Sequence, residues 1–210
     1  MSDDDDPDVH QAYALKTPED SKRLYASWAA TYDQSFAQST GFAMPAHVAE
    51  LFHAHGGKGP VLDAGAGTGL VAGAILQSGF CEIDGFDISA EMLAESRDKG
   101  FYRALIEGDL TKALPFAEAT YQSVVSAGTF THGHVGPDAL DELVRVGASG
   151  ALYVLTIKKD HFVEKGFEAK FQALSDLIRD YTTEMRPIYV KDDGSTEDAD
   201  QGLIAIFRKA

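Results

Sequence analysis

The chain has a single cysteine, Cys81, in 210 residues. No internal disulfide can form, and a lone thiol beside a strand-like stretch reads as a small, partly buried hydrophobe. Basic residues are also scarce: 18 Lys and Arg stand against 33 Asp and Glu, a formal net charge of −15. Nucleic-acid binding draws much of its affinity from cations on phosphate, so DNA and RNA are excluded as expected partners. Membrane-length apolar runs are missing too. Stretches such as ALYVLTI at 151–157 are strand-length, far short of the roughly 20 residues that cross a bilayer. No basic, apolar, small-residue leader opens the sequence. These features lead to the expectation of a cytoplasmic protein with no membrane contact.

Hydrophobic residues make up 44% of the chain and charged ones 24%, an ordinary soluble composition. A chain of this size should bury roughly 70% of its unfolded surface. Five acids crowd SDDDDPD at 2–8, so residues 1–16 are expected to form a disordered acidic tail. The remainder, 17–210, reads as one domain: a helical cap over 17–56 and a sheet-bearing part over 57–210.

In the cap, Thr17 and Pro18 open a helix expected to run to residue 38, with Leu24, Trp28, Tyr32 and Phe36 on one face. A second helix starts at Pro45 and stops at Gly56-Gly57. From residue 60 the pattern alternates. Strands are expected at 61–65, 82–88, 103–108, 122–128 and 151–157, with helices at 70–79, 89–100 and 137–147. A last helix over 162–181 precedes strands at 184–190 and 202–208, read as an antiparallel edge hairpin. Strand–helix alternation of this kind predicts an α/β fold, a doubly wound and mostly parallel sheet covered on both faces.

The stretch VLDAGAGTGL at 61–70 places a strand, a glycine turn and a helix start in succession. Its glycines, Gly65, Gly67 and Gly69, do not keep dinucleotide spacing, because Leu70 stands where the third glycine would fall. Three acids follow at intervals of one strand–helix unit: Asp63, Asp87 and Asp109. In a parallel sheet, strand ends meet at one crevice, so the three carboxylates are expected to border it. A pyrophosphate would be repelled there, and LVAGAILQSG offers it no cation. S-adenosylmethionine, which has no phosphate and carries a sulfonium and an ammonium, suits such a border. Asp63 would serve its ammonium, Asp87 its ribose diol and Asp109 its adenine amine. Each acid taken alone could equally cap a neighbouring turn.

At these residues the chain resembles the class I S-adenosylmethionine-dependent methyltransferases. LDAGAGTGL, DGFDIS and EGDL are similar to the family's first motif and its second- and third-strand acids. WAATYDQSF, DGFDISAEML and VVSAGTFTHGHVGPDALDELVRV further resemble the Williams–Beuren-region methyltransferase-like proteins and their bacterial relatives. The resemblance implies a seven-stranded Rossmann-like sheet with an antiparallel last strand, and cofactor contacts for Tyr32, Met92 and Ser126. Thr68, Gly69, Ile88, Gly108 and Leu110 complete the motif positions of the candidate cofactor set. S-adenosylhomocysteine would be the product.

For the acceptor, the loop AGTFTHGHVG at 127–136 follows the fourth strand. His132 and His134 titrate in the right range for acid–base work, with His134 the one catalytic candidate; both also suit a solvent-facing loop. Phe130 could wall the pocket or close the core. Trp28 and Tyr32 could shut the site from above. His132 and His134, with His53 and His55, make a poor metal site because no further ligands stand at motif spacing. No NPPY-like run and no Pro-Cys nucleophile occurs, so the expected acceptor is a small molecule. A non-catalytic module that binds S-adenosylmethionine or S-adenosylhomocysteine is the rival reading, with a nicotinamide oxidoreductase behind it.

Overall fold

The computed structural model describes residues 17–79, 81–131, 135–191, 194–196 and 201–210. The expected tail, 1–16, and the loop histidines His132 and His134 lie outside them.

Seven strands form one sheet: β1 (Val61–Ala64), β2 (Ile83–Asp87), β3 (Ala104–Glu107), β4 (Tyr121–Phe130), β5 (Gly147–Lys158), β6 (Ile178–Pro187) and β7 (Gln201–Lys209). Their order is β3-β2-β1-β4-β5-β7-β6. β1 to β5 pair in parallel, and β7 runs antiparallel to both β5 and β6. This is the doubly wound sheet that the alternation predicts, with strand order reversing beside β1. Among the described residues no helix is long and apolar enough to cross a membrane.

Pleating sends successive side chains of the sheet to opposite faces. Val61, Ile83, Val125, Leu152 and Ile204 bury one face against Val48 and Phe52 of α2 (Met44–Ala54) and Val71 and Ile75 of α3 (Leu70–Leu76). Leu62, Phe86, Val124, Tyr153 and Phe207 bury the other face. Their partners there are Leu140 and Leu143 of α5 (Ala139–Val146) and Phe167 and Phe171 further on. α4 (Ala90–Lys99) is capped by Ser89, whose hydroxyl accepts from Met92 N–H at 3.2 Å, and it stops at left-handed Gly100.

Two helices differ from expectation. The helix predicted over 17–38 breaks into α1 (Pro18–Trp28), a turn, and a π-helix over Tyr32–Gln38. In a continuous α-helix, Trp28 and Phe36 would stand about 12 Å apart along the axis. The break brings their rings to 6.0 Å, stacked, with Tyr32 stacked on Phe36 at 5.0 Å. Aromatic packing thus overrides the helical run. The helix predicted over 162–181 is two short ones, α6 (Lys159–Glu164) and α7 (Phe167–Ala173), split at Gly166 with φ +75°. β6 begins at Ile178, earlier than expected, because pairing with Lys209 of β7 extends the ladder. Ile178 continues the helical stripe only by coincidence of spacing.

The cap is fastened to the far end of the sheet. Ala43 N–H donates to Ile188 C=O, and Val190 N–H to Gly41 C=O, each at 2.9 Å, with Phe42 bridged to Tyr189 between them. Gly41 has φ +67°, and a Cβ there would lie 2.0 Å from the Val190 carbonyl oxygen. Gly41→Ala is therefore expected to destabilise the fold by about 1–3 kcal/mol and to expose the segment between α1 and α2 to protease. Thermal melting with limited proteolysis checks this, and a wild-type melting point with wild-type cleavage would show that the cap is held elsewhere.

Candidate functional site

A cleft opens at the carboxyl ends of β1, β2 and β4, under the cap. It encloses about 910 Å³ counting its open mouth. The glycine turn forms its floor. Gly65 has φ +81°, and a Cβ there would sit 1.9 Å from Thr129 Oγ1. Gly67 has φ +52° with nothing within reach of a Cβ, so its backbone lies open to a ligand.

Asp87 organises that floor. Its Oδ2 accepts from Gly67 N–H at 2.8 Å, and its Oδ1 from Ser89 N–H at 2.9 Å. One carboxylate therefore joins the β1–α3 turn to the start of α4. Burial pushes its pKa up, opposed by the N–H donors of Ser89, Gly67 and Ile88. A carboxylate offers about four lone-pair sites, so these three donors leave room for one more from a ligand. Ile88, Met92, Gly108 and Leu110 continue this wall, and Thr68 stands at the other side of the floor.

The three acids do not form the expected row. Asp87 alone lines the cleft. Asp63 is fully buried behind it, where Tyr102 O–H donates to Oδ2 at 2.7 Å and Oδ1 has no partner. Burial pushes the Asp63 carboxyl up to about 7, against the Tyr102 hydrogen bond and with added repulsion from Asp87. Burial also raises the Tyr102 phenol well above its ordinary range, so it stays a donor at neutral pH. Asp109 turns to its own loop and accepts from Thr111 N–H at 2.8 Å and Thr111 O–H at 2.7 Å.

Other candidates also sit behind the wall. Gly69 is the left-handed start of α3 and faces Tyr102 and Ser96. Ser126 is buried and donates to Ala64 C=O at 2.6 Å, tying β4 to β1. Phe130 closes the core, edge-on to Phe167 at 5.8 Å. Trp28 is buried among Phe36 and Met92 and supports the roof from above. Tyr32 does line the cleft.

Several residues escape sequence reasoning. Tyr25, Phe42, Gly128 and Thr131 join the walls; only the aromatic density of the cap hints at the first two. Asp33 accepts from Thr68 O–H at 2.5 Å and pairs with Lys99, whose ammonium also donates to Thr68 C=O at 2.6 Å. This clasp joins the cap to the glycine turn across long stretches of sequence, and no spacing rule reveals it. His161 is buried and donates from Nε2 to Val135 C=O at 3.0 Å, anchoring the chain just ahead of α5.

A methyltransferase-domain family matches residues 62–155. Methyltransferase-like protein 27 of Homo sapiens is 32% identical over 154 residues, covering 71% of this chain. The chain spans 62% of that relative's length. Among solved structures, a TehB-like S-adenosylmethionine-dependent methyltransferase from Corynebacterium glutamicum aligns with a TM-score of 0.61 at 19% identity, covering 90% of this chain and 100% of its own. The cyclase SpnF aligns with a TM-score of 0.66 at 14% identity, covering 93% and 97%. At these identities the two structures show a shared fold.

The buried Asp63 has a thermodynamic consequence. Between its ordinary value near 3.8 and about 7, the unfolded chain releases a proton that the folded chain holds. Its contribution to stability therefore falls as pH rises through that window and levels off above it. Asp63→Asn, an uncharged isostere, should melt like wild type near pH 4 and be favoured by up to roughly 4 kcal/mol near neutrality. Paired melting curves across the window test this; a constant offset between the two would mean that Asp63 is ionised throughout.

Proposed function

We propose that this chain, in which a methyltransferase-domain family matches residues 62–155, is a class I methyltransferase that transfers a methyl group from S-adenosylmethionine to a small-molecule acceptor. The observation that carries this reading is the charge of the cleft. Its wall holds one carboxylate, Asp87, and no Lys or Arg among the described residues. A dinucleotide would set its diphosphate against that carboxylate without a compensating cation. A phosphate-free, positively charged nucleoside meets the opposite balance.

The residues present fit that cofactor. Asp87, already oriented by two backbone N–H groups, is placed to accept the ribose diol. Ile88, Met92 and Leu110 offer apolar faces to the adenine, and the bare backbone of Gly65 and Gly67 admits the methionine part. Asp63 lies one layer deeper, and its unpartnered Oδ1 adds negative potential whenever the group is ionised. When bound, the cofactor would supply an activated methyl to the acceptor's lone pair, with S-adenosylhomocysteine as the product that leaves.

The chain's own contribution is positioning and the exclusion of water. Tyr25 and Tyr32 roof the cleft, and the Asp33–Thr68–Lys99 clasp holds that roof to the floor. Holding the acceptor in near-attack geometry supplies much of such a rate enhancement without a base. For an acceptor that must lose a proton, His134 is the candidate base.

Calorimetric titration tests the reading: S-adenosylmethionine and S-adenosylhomocysteine should bind, and NAD should not compete. Asp87→Ala should weaken S-adenosylhomocysteine by about 1–3 kcal/mol through lost charge-assisted hydrogen bonds, with melting curves confirming a folded variant. Unchanged affinity would remove Asp87 from the cofactor site. Tight binding with no release of S-adenosylhomocysteine across a metabolite library would favour a non-catalytic binding module.

A further inference from the structure

The cap keeps an apolar core of its own. Trp28, Ala29 and Phe36 are buried together in a cluster that belongs to neither face of the sheet. Among the described residues, Met92 of α4 is its one buried member from outside the cap. The cap is therefore a strap over the cleft, and its two fastenings lie on opposite halves of the sheet. One is the backbone pairing of Gly41 and Ala43 with Val190 and Ile188, beside β6 and β7. The other is made of side chains, beside β2 and β3.

That second fastening is the Asp33–Thr68–Lys99 clasp, in which each member bonds both of the others. Asp33 directly follows Tyr32 of the roof, and Thr68 belongs to the floor. The ion pair is partly buried, with side-chain exposures of 26% for Lys99 and 32% for Asp33. A second pair, Lys22 with Glu107 at 2.6 Å, lies on the same side but is about half exposed and adds little.

α4 carries this side of the strap on one stripe. Met92, Ser96 and Lys99 stand at helical spacing over about two turns. Met92 meets the cap core, Ser96 O–H donates to Gly67 C=O at 2.7 Å, and Lys99 closes the clasp. The inner turn does not need the cap: Gly65 and Ala66 N–H are held by Phe86 C=O, and Gly67 N–H by Asp87. Opening the clasp would thus free the roof and leave that part of the floor in place. Its polar groups would exchange one another for water, a far smaller cost than unpacking a ring cluster.

We propose that Asp33 and Lys99 are positioning residues that gate cofactor exchange: S-adenosylmethionine enters, and its product leaves, when the clasp opens and the Gly41 fastening stays closed. The proposal rests on the cofactor reading above and assigns the control of that same cleft.

Surface plasmon resonance on the full chain, with S-adenosylhomocysteine as the probe, reads both rates. In Lys99→Met, dissociation should speed by about tenfold and association by about threefold, because entry and exit pass the same opening. Lys99→Arg, which keeps the charge and several donors, should return both toward wild type. Asp33→Asn, which removes the anion and keeps an acceptor for Thr68, should shift both rates in the direction of Lys99→Met. The probe has no net charge, so salt acts on the protein: raising NaCl from about 0.05 to about 0.5 M should speed both rates in wild type and not in Lys99→Met. Faster dissociation with unchanged or slower association would mean that the clasp only shapes the floor, and would overturn the gate.

Trypsin, which cuts after Lys22 and Arg23 of α1, reads the cap without ligand. Lys99→Met should be cut there about tenfold faster than wild type, with melting curves confirming that the sheet stays folded. Cutting at the wild-type rate overturns the proposal as well. If the probe binds neither protein while Lys99→Met is cut faster, the cofactor reading fails and the closing role of the clasp stands.

Discussion

The site depends on one carboxylate that is shared between two loops. Asp87 ends β2, yet its oxygens are held by Gly67 of the preceding turn and Ser89 of the following one. Without that acceptor, two N–H groups beside the cleft would lack a partner, and the turn after β1 would lose its tie to α4. The glycine turn has few other ways to hold its shape, since Gly65 and Gly67 carry no side chain to pack. Gly65 and Ala66 N–H also donate to the Phe86 carbonyl, at 2.8 and 3.1 Å, so the end of β2 holds both sides of the turn. Its outer part is tied elsewhere, by Ser96 O–H on the Gly67 carbonyl at 2.7 Å and by the Asp33–Thr68–Lys99 clasp.

Strand register decides which acids reach the cleft. Asp63 pairs level with Gly85, two residues short of Asp87, which is roughly 6–7 Å deeper along the strand direction. That depth explains its burial, its lone partner Tyr102 and its elevated pKa. Asp109 errs in the other direction. Glu107 is level with Asp87, so Asp109 lies beyond the strand and folds back on Thr111. Spacing in sequence placed all three near strand ends correctly, because one strand–helix unit has a nearly fixed length. The pleat and the register, which a single sequence does not reveal, separate them by depth.

The same contrast runs through the fold. The alternation from residue 60 onward was legible because a buried parallel strand must be an apolar run, and helices between such runs must cover the sheet. The cap and the segment after β5 were not legible in the same way. A stripe of Trp28, Tyr32 and Phe36 is compatible with one long helix, and only the ring–ring stacking found in three dimensions favours the break. Phe167, Phe171, Leu174 and Ile178 likewise keep helical spacing across a boundary between helix and strand. In both places, tertiary packing uses apolar residues at the spacing a helix would have, without the helix.

A division of labour follows for the site itself. The cofactor half is made chiefly of backbone: a glycine turn, strand ends and a single acid held by N–H groups. Features of that kind follow from motif spacing. The roof is made of side chains from segments distant in sequence, joined by Gly41–Val190 backbone pairing and by the Asp33–Lys99 ion pair. Which rings face the cleft is therefore set by the cap and by the β6–β7 connection that fastens it, and no local spacing in the sequence encodes that pairing.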